Sequence, residues 1–172
     1  IQLELGDFTG GWLGYEWRFK TTQPGSQPLP DIPMWTGGAV AGRLLVRGEQ
    51  GLGDQVLFGS TLPDLERLGV KSVLQVDRRL VPLFKRSFPG YEVIGDETPL
   101  PSGIVAQVMI GSLPQYFRRG IEDFSRAGEP YLKVDALRAE LYRQALHQDP
   151  GLVVGLSWRS FNKRLETRKS IE

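Results

Sequence analysis

Short apolar runs alternate with helical patterns from residue 42 onward. The run 72–76 is short and β-branched, as buried strands are, whereas Leu137, Leu141 and Ala145 recur at helical spacing. The pattern predicts strands near 43–47, 72–76, 91–94, 104–110 and 152–156, and helices near 54–68, 78–87, 113–119 and 135–147. We therefore expect an α/β fold, a Rossmann-like parallel sheet flanked by helices on both faces. Pro63 should kink or split the first of these helices because it removes a backbone donor.

The first 41 residues have a different pattern. Residues 1–20 are helical in spacing, with a break at Gly6-Asp7. Residues 21–41 hold Pro24, Pro28, Pro30 and Pro33 among Gly, Ser and Gln, which predicts a linker whose far end is anchored by Trp35. The string Leu5-Gly6-Asp7-Phe8, followed by Gly11 and Tyr15, resembles the second half of a tetratricopeptide repeat, so 1–20 would be the end of a repeat region. An ordinary amphipathic helix is the alternative.

Composition excludes several classes of function. The 21 basic and 20 acidic residues nearly balance, so no global field gathers nucleic acid or an anionic membrane. We expect the pairs Arg78-Arg79 and Arg118-Arg119 to be solvated helix faces. The chain has no cysteine and one histidine, His147, which excludes disulfides, thiolate sites and multi-histidine metal sites. No apolar run has the length of a membrane span and no signal-peptide pattern is present, so a cytoplasmic protein is expected.

A glycine-rich turn, Gly48–Gln55, follows the first predicted strand. Gly48 and Gly53 have the spacing of a P-loop, but Asp54-Gln55 stands where that loop needs lysine and a hydroxyl residue. Gly51 and Gly53 supply two glycines of the dinucleotide fingerprint, but Val56 occupies the third position. Neither motif is satisfied. Because ligands of α/β proteins bind at the carboxyl ends of the strands, function should still be sought around Asp54.

Two roles are open for Asp54. As the N-cap of the next helix it would accept hydrogen bonds from free backbone amides and contribute ~1 kcal/mol. As a general base it would remove a proton from an attacking hydroxyl group. The two roles are partly compatible. For Glu49, orienting an acceptor or a cation is weighed against a loop acid that faces solvent.

Several strings in the chain resemble known families. Gly51–Asp54, Leu62-Pro63 and the run from Ser87 to Ile94 resemble the N-terminal domain of bacterial heptosyltransferases. Nearly the whole chain resembles bacterial tetratricopeptide-repeat proteins with a C-terminal glycosyltransferase-like domain. Four strings carry that second resemblance: Gly11–Arg18 (GWLGYEWR), Gly48–Gln55 (GEQGLGDQ), Ser112–Pro114 (SLP) and Gly155–Ser160 (GLSWRS).

The resemblance implies a GT-B architecture, two Rossmann-like domains facing each other across a cleft. Residues 42–150 would form the N-terminal, acceptor-side domain, and 151–172 would begin the donor-binding domain, so the chain would be a piece of a longer protein and inactive alone. It would belong to an inverting glycosyltransferase that uses a nucleotide-sugar as donor substrate, a protein or glycan as acceptor, and neither metal nor other cofactor. The alternative is a non-catalytic glycosyltransferase-like scaffold attached to peptide-binding repeats.

The resemblance also implies roles for particular residues. Asp54 matches the catalytic base, within an acceptor loop that includes Glu49, Gln50, Gly51 and Gly53. Trp158, Arg159, Lys163 and Lys169 follow the last predicted strand and would face the donor, with a solvated basic tail as the alternative for the cations. We also expect apolar patches around Trp12, Trp17 and Trp158 to promote self-association.

Overall fold

The computed structural model describes residues 1–20, 27–125, 130–146 and 151–156. The chain divides into two compact units, Ile1–Val134 and Asp135–Glu172. No helix in the described residues is long and apolar enough to span a membrane.

A parallel sheet organises the first unit. Its strands are β1 Arg43–Arg47, β2 Ser72–Val76, β3 Glu92–Gly95 and β4 Ile104–Met109. They are ordered β3-β2-β1-β4, and all neighbours are parallel. The chain moves outward from β1 through β2 to β3 and then crosses to the opposite side of β1. The switch point, where such sheets bind ligands, is therefore between the carboxyl ends of β1 and β4.

Helices flank this sheet. They are α1 Phe8–Tyr15, α2 Leu52–Gly59, α3 Leu62–Arg67, α4 Val81–Ser87, α5 Pro114–Phe117 and α6 Glu122–Ser125. Two 3-10 helices, Glu16–Lys20 and Ile110–Ser112, follow α1 and β4 directly. Every residue of β2 is buried, as are Leu44, Leu45 and Val46 of β1. Strands that are buried on both faces are typical of a parallel sheet covered by helices. The prediction of an α/β fold with a parallel sheet flanked by helices is therefore confirmed.

Most predicted elements occur: β1 and β2 have the predicted bounds, and the bounds of the others are shifted. Pro63 lies in the first turn of α3, so the predicted helix 54–68 is split into α2 and α3 as expected. The predicted helix 78–87 begins only at Val81, because Asp77 first accepts a hydrogen bond from the backbone N–H of Arg79 in a turn. The predicted helix 113–119 is reduced to α5. The strand expected at 152–156 is wrong: these residues form no strand.

Part of the predicted linker belongs to the sheet edge. Met34 forms a parallel bridge with Gln107 of β4, and the Trp35 N–H donates to Gln107 O at 2.7 Å. The buried Gln107 side chain donates to Leu29 O and Ile32 O and accepts from Leu29 N. Trp35 is buried against the core, so its predicted anchoring role is confirmed. Residues 21–26 lie outside the described part of the chain.

One arginine contradicts the expectation of solvated pairs. Arg118 is only 4% exposed, pairs with Asp64 at 2.8 Å and donates to Ser60 O. Arg118 also contacts α1, since Trp12 Nε1 donates to Arg118 O at 2.7 Å. Trp12 is thus packed within its own chain rather than forming an exposed patch, whereas Trp17 is exposed. Local sequence could not indicate this, because both partners are far away along the chain.

The second unit contributes one described helix, α7 Ala136–Leu146, with bounds close to the prediction. Asp135 begins it by accepting a hydrogen bond from Arg138 N. The apolar positions that predicted it, Leu137 and Leu141, are exposed.

Candidate functional site

The loop after β1 holds a strained turn. Gln50 has φ 58°, and no other non-glycine residue in the described part of the chain has a positive φ. A Cβ at Gly48 would lie 2.5 Å from Gln55 Oε1 and 3.2 Å from Gln75 O, so any larger residue there would displace the Gln55 amide. A Cβ at Gly53 would meet nothing within 4 Å, so the space beside Gly53 is open. Strain that the surroundings maintain is characteristic of functional loops.

Asp54 lies in the first turn of α2, at the carboxyl end of the central strand. It is not the N-cap: Gly51 holds that position, and Asp54 stands three residues later, where Oδ2 accepts a hydrogen bond from Gly51 N at 2.9 Å. Asp54 therefore contributes to the helix cap from inside the helix, because its side chain binds the backbone N–H of the N-cap residue. Asp54 is half-buried, and its Oδ1 has no hydrogen-bond partner within the described residues.

Glu49 is buried, which overturns the expectation of a solvent-facing loop acid. Its carboxylate is fully inaccessible and forms a two-pronged ion pair with Arg18, Nη2 to Oε1 at 2.7 Å and Nε to Oε2 at 2.9 Å. Oε1 also accepts from the backbone N–H of Gly111, just beyond β4. Glu49 thus joins the β1 loop, the end of β4 and the N-terminal segment.

Arg18 is the centre of this network. Nη1 donates to Glu16 Oε1 at 2.6 Å, and Nη2 donates to Ser112 Oγ at 2.6 Å. Its guanidinium carbon lies 4.3 Å from the centre of the Tyr15 ring. Burial opposes the charged form of Arg18, but the hydrogen bonds that it donates to Glu49 and Glu16 outweigh this effect, so the pKa of Arg18 is raised. The arginine stays charged while it is inserted between protein groups.

Tyr15 connects this network to the loop. Its hydroxyl accepts a hydrogen bond from Gln50 Nε2 at 2.9 Å, and its ring packs on Phe58 of α2. Burial raises the pKa of Tyr15, and the carboxylates of Glu49 and Asp54 act in the same direction. Because Gln50 precedes α2 and Phe58 lies within it, these two contacts place the N-terminal segment beside the helix that carries Asp54.

We call the arrangement formed by Tyr15, Glu16, Arg18, Glu49 and Ser112 the arginine latch. It occupies the switch point between β1 and β4, so the chain's own N-terminal segment fills the crevice where a ligand would bind in many such folds. A Cβ on Gly111 would lie 2.7 Å from Glu49 Oε1 and 3.2 Å from Tyr15 Cε1, which shows how closely the crevice is packed.

The other side of β1 is open. A cleft of about 230 Å³ lies at the carboxyl ends of β1, β2 and β3. It is lined by Arg47, Gly48, Glu49, Gln50, Gln55, Gln75, Asp77 and Asp96. We call it the β2 cleft. Its lining is almost entirely polar, which suits a hydrated or hydroxylated ligand better than an apolar one.

The carboxylates at this cleft are individually engaged. Asp77, after β2, is held by Arg79 at 2.8 Å, and the hydrogen bond from that side chain lowers the pKa of Asp77 to about 2. Asp96, after β3, accepts a hydrogen bond from Arg78 N. No group of three or more acidic or histidine side chains in the described residues could hold a metal ion.

The expected donor-side residues cannot be placed. Trp158, Arg159, Lys163 and Lys169 lie outside the described residues, as does His147. Of the four strings that carry the resemblance, three meet at the arginine latch: Tyr15, Glu16 and Arg18 come from the first, Glu49 and Gln50 from the second, and Ser112 from the third. Co-occurrence of these strings was the available signal, and sequence reasoning did not use it to pair them.

Comparison with known proteins identifies a relative of this chain. Protein FlbA of Caulobacter vibrioides is 35% identical over 187 aligned residues, which cover 96% of this chain and 31% of FlbA. The chain therefore spans about a third of that relative's length. No protein-family profile matches the chain, and no solved structure matches it significantly.

Proposed function

We propose that the chain is the acceptor-side domain of an inverting, nucleotide-sugar-dependent glycosyltransferase in which Asp54 is the general base. The observation that carries the proposal is the placement of Asp54: first turn of α2, carboxyl end of the central strand, one carboxylate oxygen committed to Gly51 N and the other without a partner in the described residues. A base needs one oxygen fixed for orientation and one available for the proton.

The proposed step balances as a single displacement. The acceptor hydroxyl loses its proton to Asp54 Oδ1 while its oxygen forms a bond to the anomeric carbon of the sugar. The bond from that carbon to the nucleotide diphosphate breaks on the opposite face, and the electron pair leaves with the phosphate oxygen. The configuration at the anomeric carbon is inverted. Groups that stabilise the leaving diphosphate would belong to the second domain, for which Arg159, Lys163 and Lys169 remain candidates.

A repeat-bearing scaffold without catalytic activity is the second candidate. The arginine latch favours it, because the switch point that could hold a ligand is filled by the chain's own N-terminal segment. On this hypothesis the tetratricopeptide-type segment 1–20 binds a partner and the α/β fold is a platform for it.

Release of nucleotide diphosphate separates the two candidates. The full-length protein is incubated with a panel of nucleotide-sugars and candidate protein and glycan acceptors, and diphosphate is followed with a coupled assay. The enzyme proposal predicts acceptor-dependent release with one donor class. A protein that binds acceptors but releases no diphosphate above the blank with any donor is the scaffold.

A further inference from the structure

Arg47 is the cation on the lining of the β2 cleft, and it forms no ion pair within the described residues. It ends β1, is half-buried and forms none of the ion pairs in that part of the chain. Nε donates to Gln75 Oε1 at 3.1 Å and Nη1 donates to Gln27 O at 2.9 Å, whereas Nη2 makes no hydrogen bond in the described residues. Burial lowers the pKa of Arg47, and Glu49 offsets this effect only in part. A half-buried guanidinium in this state is deficient in acceptors.

Two buried amides share this deficiency. Gln55 is 5% exposed, and its Oε1 accepts from Asp77 N at 3.0 Å. Gln75 is 8% exposed, and its Oε1 accepts from Arg47 Nε. In both cases a true N–H donor fixes which end of the amide is oxygen, so each NH₂ group is assigned by its neighbour. Neither NH₂ group has an acceptor within the described residues, although both side chains line the β2 cleft.

Buried donors without acceptors are rare and call for a partner. Three sets of unsatisfied donors, one of them charged, converge on one cleft. The three acids on the lining are already engaged: Glu49 by Arg18, Asp77 by Arg79, and Asp96 by the backbone N–H of Arg78. What the three donors lack is a compact group with several acceptor oxygens, and a negative charge on that group would pair with Arg47.

We infer that the β2 cleft is an oxyanion subsite in which Arg47 Nη2 and the NH₂ groups of Gln55 and Gln75 bind a phosphate or carboxylate group. A planar guanidinium donates to phosphate and carboxylate oxygens alike, and titration with one probe of each kind separates the two. Assigning that anion to the acceptor rests on the proposed function; binding of the anion itself does not. Asp96, on the same lining, is an acceptor suited to hydroxyl groups of the same ligand.

Nuclear magnetic resonance tests the subsite directly. The ¹⁵N-labelled chain is titrated with methyl phosphate and, separately, with acetate at constant ionic strength and pH 7, while the side-chain signals of Arg47, Gln55 and Gln75 are followed. We expect saturable shifts of these three signals with one of the two probes, and the responding probe identifies the anion class. Absence of saturation with both probes, or shifts confined to other residues, overturns the subsite.

Two substitutions sharpen the test. Arg47→Gln should weaken binding of the responding probe by roughly 10-fold or more, the usual effect of a charge-assisted hydrogen bond. Arg43→Gln, at the other end of the same strand and paired with Glu92, is the matched control and should leave binding unchanged. Equal weakening by both variants overturns the assignment to Arg47. Gln75→Leu keeps the guanidinium but removes the amide donors, and should weaken binding by a smaller factor.

Failure of this inference and failure of the proposed function can be told apart. Probe binding requires neither donor sugar nor Asp54. If an Asp54→Asn protein transfers sugar normally while the probe still binds at Arg47, the subsite stands and the base is wrong. If transfer depends on Asp54 while no probe binds, the acceptor is held by other groups.

Discussion

The two sides of the β1 carboxyl end solve the burial of charge in opposite ways. On the β4 side, Arg18 and Glu49 form a two-pronged pair whose remaining polar atoms are met by Ser112, Glu16 and Gly111 N. On the β2 side, Arg47 has only neutral hydrogen-bond partners in the described residues, and the NH₂ groups of two buried amides have no acceptor among those residues. The first side is complete without a ligand. The second side has the donors that a ligand would use, which is why we place recognition there.

Breaking the latch should have the largest effect on stability. Arg18→Met leaves Glu49 buried without its counter-charge, which costs about 3–5 kcal/mol when one partner of a buried pair is removed. Urea unfolding of wild type and variant measures the difference. Lys20→Met is the control. Lys20 lies on the same 3-10 helix as Arg18, over the exposed Trp17 ring, and its replacement should lower the free energy of unfolding by less than ~1 kcal/mol.

A second substitution in the arginine latch separates the contribution of the charge pair from that of the hydrogen bonds around it. Combining Arg18→Met with Glu49→Met removes both charges, and apolar replacement of a whole buried pair is often neutral, so most of the lost stability should return, to within ~2 kcal/mol of wild type. A double variant as unstable as the single one would mean that the hydrogen bonds to Ser112 and Gly111, rather than the charge pair, hold the N-terminal segment.

The β2 side should tolerate loss of its arginine. Arg47→Met removes a half-buried charge that has no ion pair in the described residues, together with two hydrogen bonds to neutral groups. The free energy of unfolding should therefore change by no more than ~1 kcal/mol. The same urea titration measures it. A loss as large as that of Arg18→Met would show that Arg47 is a structural charge like Arg18, and the contrast between the two sides would disappear.

The smallest effect concerns Asp77 at the rim of the cleft. Its pKa of about 2 is set first by the hydrogen bond from Arg79, and Arg79→Ala should return it toward the ordinary value near 4. Because the folded pKa is the lower one, the stabilisation is present above about pH 4 and is lost as pH falls toward 2. Carboxyl NMR titration checks both statements. An unchanged pKa in the variant would assign the shift to the backbone instead.

The sheet was predictable because its signal is local. β1 and β2 are short apolar runs that match the prediction residue for residue, and Pro63 marked the split between α2 and α3. The prediction failed where strand formation depends on pairing with a neighbouring strand. The apolar run 152–156 has the pattern of a strand, but pattern alone does not supply a neighbouring strand to pair with.

The candidate site was predictable only in part, for the same reason. Asp54 was located from the turn and the helix start that follows it. The N-cap is Gly51, whose backbone is extended, and Asp54 lies three residues later. Glu49 was misjudged because its partner, Arg18, is 31 residues away in sequence. Arg47 and Gln55 carried no signal at all, since an unsatisfied donor is recognisable only when every neighbour has been placed.

Transfer of sugar by an Asp54→Asn variant of the full-length protein tests the central proposal most directly. Asparagine keeps the shape of the side chain and an oxygen that can accept from Gly51 N, so the fold should survive, which the thermal unfolding midpoint verifies. Loss of the base should lower kcat by a factor of ~10²–10⁴. A variant that is folded and transfers sugar at the wild-type rate would contradict the role of Asp54 and leave it as a helix cap.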